Sequence, residues 1–236
     1  MKAIHNLHNF IEPLSKDVLT KLDQCSFERS INSKEAVYRQ GDDSIEVYQL
    51  QTGGIKLCNY SHDGKEVVMS VLKPGDCFGE MGVIDKLPRL SHAIAIETST
   101  LRVLSEKDFN RLYNAYPEIS RQINLMLCLR MRALYSLTED ANALNLHQRL
   151  ARTIHRLSYS HGKEDGDLIY IDICQEELAQ LLCTSRQSIS KELKNLKREG
   201  SVEVRYGKIY LSDIESLSRK YENLMGQEQL TPIYHK

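Results

Sequence analysis

Gln175-Glu176-Glu177-Leu178-Ala179-Gln180-Leu181-Leu182-Cys183-Thr184-Ser185-Arg186-Gln187-Ser188-Ile189-Ser190-Lys191-Glu192-Leu193 is the stretch whose reading decides the fold. The spacing predicts two short helices. The first places Leu178, Leu181 and Leu182 on one face, and Ala179 is small enough for a second helix to cross closely. Thr184 or Ser185 then offers a side-chain oxygen to cap the next helix just after a short turn. In that second helix Ile189, Leu193 and Leu196 fall at i, i+4 and i+7 and face a core. Gln187, Lys191, Lys194 and Arg198 share another face, with Arg186 beside it and no acid among the four aligned positions. Two helices joined by three or four residues make a helix-turn-helix, here spanning about 174 to 199. A solvated basic helix face carries similar charges. The cap, the core stripe and the polar face agree in order, and Val202–Val204 and Ile209–Leu211 add a hairpin around Arg205-Tyr206-Gly207-Lys208, the wing of a winged helix.

Working outward, His147 to Tyr159 reads as a helix, 162–167 as a turn-rich loop, and Leu168 to Ile173 as a strand. Before them, from Pro117, apolar residues recur at Ile123, Leu127, Leu134, Leu137, Ala141 and Leu144, with Arg130 the one polar intruder. Steps of four and three over that length form a coiled-coil-like seam, expected to join two copies of the chain; packing on its own domain is the competing reading. From about 30 to 105 the period changes. Gly41-Asp42-Asp43, Gly53-Gly54, His62-Asp63-Gly64 and Pro74-Gly75-Asp76 punctuate strand-like runs at Val47–Leu50, Ile55–Tyr60, Val67–Leu72, Ala93–Ile96 and Leu101–Leu104. Pro13 to Cys25 reads as a short amphipathic helix. The expected domains are therefore 1–144, including the long helix at about 117–144, then 145–225, with a loose tail at 226–236.

The chain has 236 residues, enough for two modest cores. Its formal net charge is −1, so nucleic-acid binding must rest on a local basic face rather than on the whole-chain balance. No apolar run reaches the roughly 20 residues that cross a bilayer, and the first ten residues lack a signal-peptide core. Cytoplasmic location without a membrane partner is the expectation. The six cysteines (25, 58, 77, 128, 174 and 183) are scattered without a C-x-x-C pair and read as small buried hydrophobes rather than as metal ligands. Neither a G-x-S-x-G, a Walker loop nor an H-E-x-x-H is present, so no catalytic residue is assigned and an enzyme is not expected.

Gly41-Asp42 to Leu50, Gly54-Ile55-Lys56-Leu57, Asp63-Gly64-Lys65-Glu66 and Leu72-Lys73-Pro74-Gly75-Asp76-Cys77-Phe78-Gly79-Glu80-Met81 resemble the cyclic-nucleotide-binding β-roll of the bacterial cyclic-AMP receptor and fumarate-nitrate reductase regulator family. Ser185 to Lys191 resembles the family's recognition helix, and the likeness extends over nearly the whole chain. It implies an α+β protein with an N-terminal antiparallel β-roll, a long dimerisation helix and a C-terminal winged helix-turn-helix. It also implies a DNA-facing set of Ser185, Arg186, Gln187, Ser190, Lys191 and Lys194, with Arg186, Gln187 and Lys191 at the base-reading positions. The cyclic-AMP-sensing branch carries Glu and Arg at the last two of these. Gln pairs with adenine where Glu accepts from cytosine, and Lys lacks the bidentate fork of Arg, so a different operator is expected. Cys183 stands where the family's turn often has Gly.

For the effector, the resemblance implies Gly79, Glu80, Met81, Arg89 and Ser91 in the roll, with Leu134 and Tyr135 on the long helix. The family's cassette clasps a cyclic phosphate between backbone amides and an Arg, and a Glu takes the ribose hydroxyl. Here Leu90 stands where a small residue usually follows that Arg, and Leu134-Tyr135 replace the usual Thr-Ser. Cyclic AMP, another small effector, or none therefore remain open. An iron-sulfur centre is not implied, since only Cys25 precedes the roll. The expected function is a homodimeric transcription regulator on a roughly palindromic site in double-stranded DNA, with RNA polymerase a partner if it activates. The alternative is a cyclic-nucleotide-binding module acting through protein partners.

Overall fold

Short strands along residues 46–105, some alternating in burial and some buried on both faces, build much of the first half of the chain. The computed structural model describes residues 2–4, 7–64, 66–166, 168–211, 213–221 and 230–232. They form two compact units, one of His8–Cys128 and the other of Met1–Leu7 with Leu129–Lys236. The second unit starts with β1 (Lys2–Ile4), which pairs in parallel with a late strand described below.

The first unit opens with α1 (Lys16–Cys25) and continues through β2 (Phe27–Ile31), β3 (Ala36–Tyr38), β4 (Glu46–Thr52), β5 (Ile55–Tyr60), β6 (Glu66–Leu72) and β7 (Cys77–Phe78). After α2 (Glu80–Asp85) come β8 (His92–Ala95), β9 (Ser99–Ser105), α3 (Glu106–Ala115) and the start of α4 (Pro117–Ala143), whose residues from Leu129 onward belong to the second unit. Two antiparallel four-stranded sheets result, in the orders β2-β9-β4-β7 and β3-β8-β5-β6. In β9 the alternate residues Ser99, Leu101 and Val103 point inward, and Leu101 and Val103 join Leu50, Ile55, Leu72 and Phe78 in one core. Gly53 makes the β4–β5 turn possible: its φ is +88°, and a Cβ there would lie 2.3 Å from Ser99 Oγ. A second core gathers the helices, with Val18, Leu22, Phe109, Leu112, Ile119 and Ile123 packed together.

That last residue corrects the expected seam. Ile119, Ile123 and Met126 lie at i, i+4 and i+7 on α4 and are buried in the core of their own unit. Arg130, the polar intruder, donates from Nε to the Leu7 carbonyl at 2.7 Å. Past Ile123 the exposed stripe instead follows Leu127, Met131, Leu134, Thr138 and Ala141, of which Leu127 is half-buried and the others exposed.

In the second unit α5 (Leu146–His161) begins at a capping box, with Asn145 accepting from the Gln148 amide. Then follow β10 (Gly162–Asp165), β11 (Leu168–Ile171), α6 (Gln175–Leu181), α7 (Arg186–Arg198), β12 (Glu203–Arg205), β13 (Lys208–Leu211), α8 (Ile214–Tyr221) and β14 (Leu230–Pro232). The expected 162–167 loop is thus largely an edge strand. It pairs Gly162 with Ile171 through Asp165 with Leu168, and its residues are all exposed, which is why no apolar alternation marks it. The sheet order is β10-β11-β13-β12. Leu150, Ile154, Leu178, Ile189, Leu193 and Leu196 share one core with Ile209 of the wing. Within the expected tail, β14 pairs with β1, Lys2 opposite Leu230; residues 226–229 and 233–236 lie outside the described residues.

Candidate nucleic-acid interface and effector site

The helix-turn-helix is held by caps at both helix starts. Cys174 caps α6, its Sγ accepting from the Glu177 amide while Glu177 Oε2 accepts from the Cys174 amide at 2.7 Å. The turn passes through Cys183, whose φ of +50° is left-handed although it is not glycine. Thr184 N–H returns to the Ala179 carbonyl at 2.9 Å. Of the two candidate caps it is Ser185 that starts α7, its Oγ accepting from the Ser188 amide at 3.1 Å. The expected Leu181 does not join the core face. Leu178, Ala179 and Leu182 are buried there, at i, i+1 and i+4, whereas Leu181 falls beside that face and is exposed.

Burial sorts α7 into two faces. Ile189, Leu193 and Leu196 are buried; Ser185, Arg186, Gln187, Lys191 and Lys194 are exposed, and Ser190 is half-exposed. Arg198 is turned back onto the Asn195 side chain. The one acid in mid-helix, Glu192, points elsewhere: it accepts from Asn195 at 2.9 Å and meets His147 Nδ1 at 3.0 Å. The Asn195 amide, and after it His147, hold its carboxyl below the usual carboxylate range. Glu192 is therefore committed to the far side, and the outward face keeps its amide and cations.

The wing lies in the same unit. Tyr206 (φ +48°) and Gly207 (φ +81°) form the tight turn between β12 and β13, in the two-residue pattern that matches strand twist. Tyr206 is fully exposed at its tip. The flanking cations are steadied on aromatic rings, Arg205 over Tyr210 at 5.1 Å and Lys208 over Tyr170 at 4.3 Å. A cleft of about 480 Å³ separates the recognition helix from the wing, with Ile173, Leu193, Val204 and Ile209 as apolar walls and Arg186 and Gly207 at its rim. Sequence reading placed the wing but gave Tyr206 no role. The signal was its position, a large aromatic in a two-residue hairpin turn where side chains face solvent.

In the roll, Gly79, at the start of α2, has φ +84°, and its carbonyl accepts from Arg89 Nη1 at 2.6 Å. Arg89 Nη2 donates to the Glu46 carbonyl at 2.6 Å, and the guanidinium lies over the Tyr38 ring at 4.4 Å. The Glu46 carboxylate accepts from both Arg29 terminal nitrogens, at 2.8 and 2.7 Å, and from Tyr48 Oη. The Arg29 guanidinium is the main reason that the Glu46 carboxyl is held below the usual range, and burial pushes the Tyr48 phenol up. Glu80, Arg89 and Ser91 are 1%, 4% and 5% exposed, whereas Met81 and Leu90 stand out into solvent. Gly79 and Arg89 are thus brought together, and Met81 is not turned inward with them. On α4, Leu134 and Tyr135 are exposed.

No helix among the described residues is long and apolar enough to cross a membrane. Comparison with known proteins matches residues 28–116 to the family described as a cyclic nucleotide-binding domain. Residues 148–220 match a Crp-like helix-turn-helix domain. A CRP-like cAMP-activated global transcriptional regulator of Mycobacterium tuberculosis is 29% identical over 214 residues, covering 89% of this chain and 93% of the relative. The transcriptional regulator LdrP of Thermus thermophilus is 27% identical over 79% of this chain and 93% of its own. Among solved structures, the c-di-GMP-responsive global regulator CLP of Xanthomonas campestris shares the fold. Its TM-score is 0.72 at 22% identity, over 84% of this chain and all of that one. With a cyclic nucleotide-binding domain and a Crp-like helix-turn-helix in this order, and relatives that are regulators rather than enzymes, the chain belongs to the CRP/FNR family of DNA-binding transcription regulators.

Proposed function

We propose that the protein acts in the cytoplasm as a homodimer on a roughly palindromic operator. In this reading each copy lays α7 in the major groove, and the half-sites are about 34 Å apart. The observation that carries it is the division of α7: its apolar residues are buried, while Arg186, Gln187, Lys191 and Lys194 face outward beside an exposed wing. Arg186, Gln187 and Lys191 read base edges near the helix start. Ser185, Ser190 and Lys194 contact the backbone and set the register. The exposed apolar residues of α4 support pairing with a second copy, since Met131, Leu134 and Leu137 stand more than half exposed along one stretch of helix. Domains of 1–144 and 145–225 serve sensing with dimerisation and DNA binding respectively. RNA polymerase is the partner if the protein activates. A small effector controls the dimer by binding its two states unequally, with Gly79, Glu80, Met81, Arg89, Ser91, Leu134 and Tyr135 as the candidate residues around it.

Selection of bound sequences from a randomised duplex pool, followed by footprinting, tests the reading. A two-fold symmetric site lost in the Arg186→Ala/Lys191→Ala variant is expected; a footprint without symmetry, or one indifferent to both substitutions, refutes it. Sedimentation of the free protein at monomer mass would remove the homodimer.

A further inference from the structure

The fold family implies a cyclic nucleotide in the roll, with an Arg on its phosphate. An Arg awaiting a phosphate needs its guanidinium open to the place the ligand will take. In this chain Glu80, Arg89 and Ser91 are 1%, 4% and 5% exposed: the protein's own atoms already cover all three groups. Both terminal nitrogens of Arg89 already donate to carbonyls and only its buried Nε lacks a hydrogen-bond partner, so a cyclic phosphate would reach Nη1 and Nη2 only by displacing those contacts.

The contacts of Arg89 say what it does instead. Its side chain donates to the carbonyls of Gly79 and Glu46, at 2.6 Å each, and its plane rests on Tyr38. Its backbone is bound as well: Arg89 N–H donates to the Asp42 carbonyl at 2.8 Å, and its carbonyl accepts from Gly41 N–H at 2.9 Å. One residue therefore joins the 41–42 turn, the start of β4 and the β7–α2 junction. Gly79 fits the same purpose, because a Cβ there would stand 2.7 Å from Arg89 Nη1. The next residue, Leu90, is exposed and is held through its carbonyl by Asn59 Nδ2 at 3.2 Å.

We propose that Arg89 is an internal brace of this roll, seated where a phosphate-binding Arg would otherwise be free, and that the protein binds its operator without a cyclic nucleotide. The second half rests on the DNA-binding reading above; the first half does not. Titration calorimetry of the wild-type protein with cyclic AMP and with cyclic GMP, to on the order of 1 mM, is expected to show no saturable heat and no rise in Tm. Operator affinity by fluorescence anisotropy is expected to be the same with and without either nucleotide. Arg89→Gln and Arg89→Lys are both expected to lower the Tm of the nucleotide-free protein by ~10 °C or more, since neither side chain spans both carbonyls. A phosphate ligand would instead leave the nucleotide-free Tm nearly unchanged on substitution. Saturable binding of either nucleotide to the wild-type chain overturns the proposal whether or not the variants fold, and so does an unaltered Tm in both variants. Failure to bind any DNA would sink the regulator reading while calorimetry and melting still decide the role of Arg89.

Discussion

Replacing Asp140 by alanine is expected to loosen the junction between α4 and the DNA-binding helices more than any surface change. Its carboxylate is 6% exposed and lies between two guanidiniums. Arg152, itself 2% exposed, reaches it through Nε at 3.0 Å, and Arg156 through Nη1 at 2.6 Å. The two arginines are also tied to their surroundings, Arg152 Nη1 to the Tyr221 carbonyl at 3.0 Å and Arg156 Nη2 to Ser136 Oγ at 2.9 Å. They are therefore not free to swing into water when the carboxylate is removed. Breaking a buried pair by deleting one partner strands a desolvated charge, at about 3–5 kcal/mol, and here a second like charge faces the same gap. Against a domain stability of about 5–15 kcal/mol that is a large fraction. For a unit of this size it corresponds to a fall in Tm on the order of 15–25 °C. The chain has no Trp, so circular dichroism or calorimetry is the assay. The exposed neighbour Glu139 is the control, with Glu139→Ala expected within about 0.5 kcal/mol of wild type. The triple replacement Asp140→Leu/Arg152→Met/Arg156→Met should recover much of the loss, because it removes the carboxylate and both guanidiniums together, whereas any variant that keeps Arg156 leaves one charge stranded. A fall of only a few degrees in Asp140→Ala, or a triple variant worse than the single one, would refute the claim that desolvated charge holds this junction.

Four further outcomes are expected. Cys183→Gly relieves a left-handed residue at φ +50° and should raise stability by about 1 kcal/mol, read as a higher urea midpoint; no rise would mean the turn is unstrained. Gln187→Glu should move the preferred base at one position per half-site from adenine to cytosine, a change of about 1–3 kcal/mol in selection experiments, and an unmoved preference removes Gln187 from base reading. Glu46 has its folded carboxyl held below the ordinary 4.5, chiefly by Arg29, so its contribution is complete above that value and is lost as the pH falls through the lower folded value. Acid unfolding of Glu46→Gln should show a shallower dependence across that window; superimposable curves would count against the pair. Tyr206→Ala should weaken binding to specific and random duplexes alike, measured as parallel shifts in anisotropy, since an exposed wing tip is expected to meet the sugar-phosphate backbone, which carries no sequence information.

Much of the DNA-binding unit was legible because its signals are local. A cap at Ser185, apolar residues at i, i+4 and i+7 and a two-residue hairpin turn each act within one or two turns of chain, and the fold kept all three. Leu181 escaped because it is an apolar residue at the border of the buried face, where spacing alone does not separate inside from outside, and Gly162–Asp165 escaped because an exposed edge strand needs no apolar alternation.

The helix from Pro117 shows where that reach stops. A run of apolar residues at three- and four-residue steps establishes that a helix forms and that one side avoids water, whatever it packs against. Which residues turn inward was decided only by packing, which took Ile119, Ile123 and Met126 into one unit's core and left Met131 and Leu134 exposed. The roll repeats the lesson with polar groups. The Gly79-Glu80 and Arg89 pattern, with the stretches around it, carried a resemblance to a nucleotide-binding type of roll. The use of the Arg depends on which acceptors lie within 3 Å of it, and Glu46 and Gly79, distant in sequence, are brought there only by the folded sheets. Local order along the chain is set by short-range sterics and periodicity. The fate of a buried charge is set by whatever partners the tertiary fold supplies, because desolvation without them is too unfavourable to sustain.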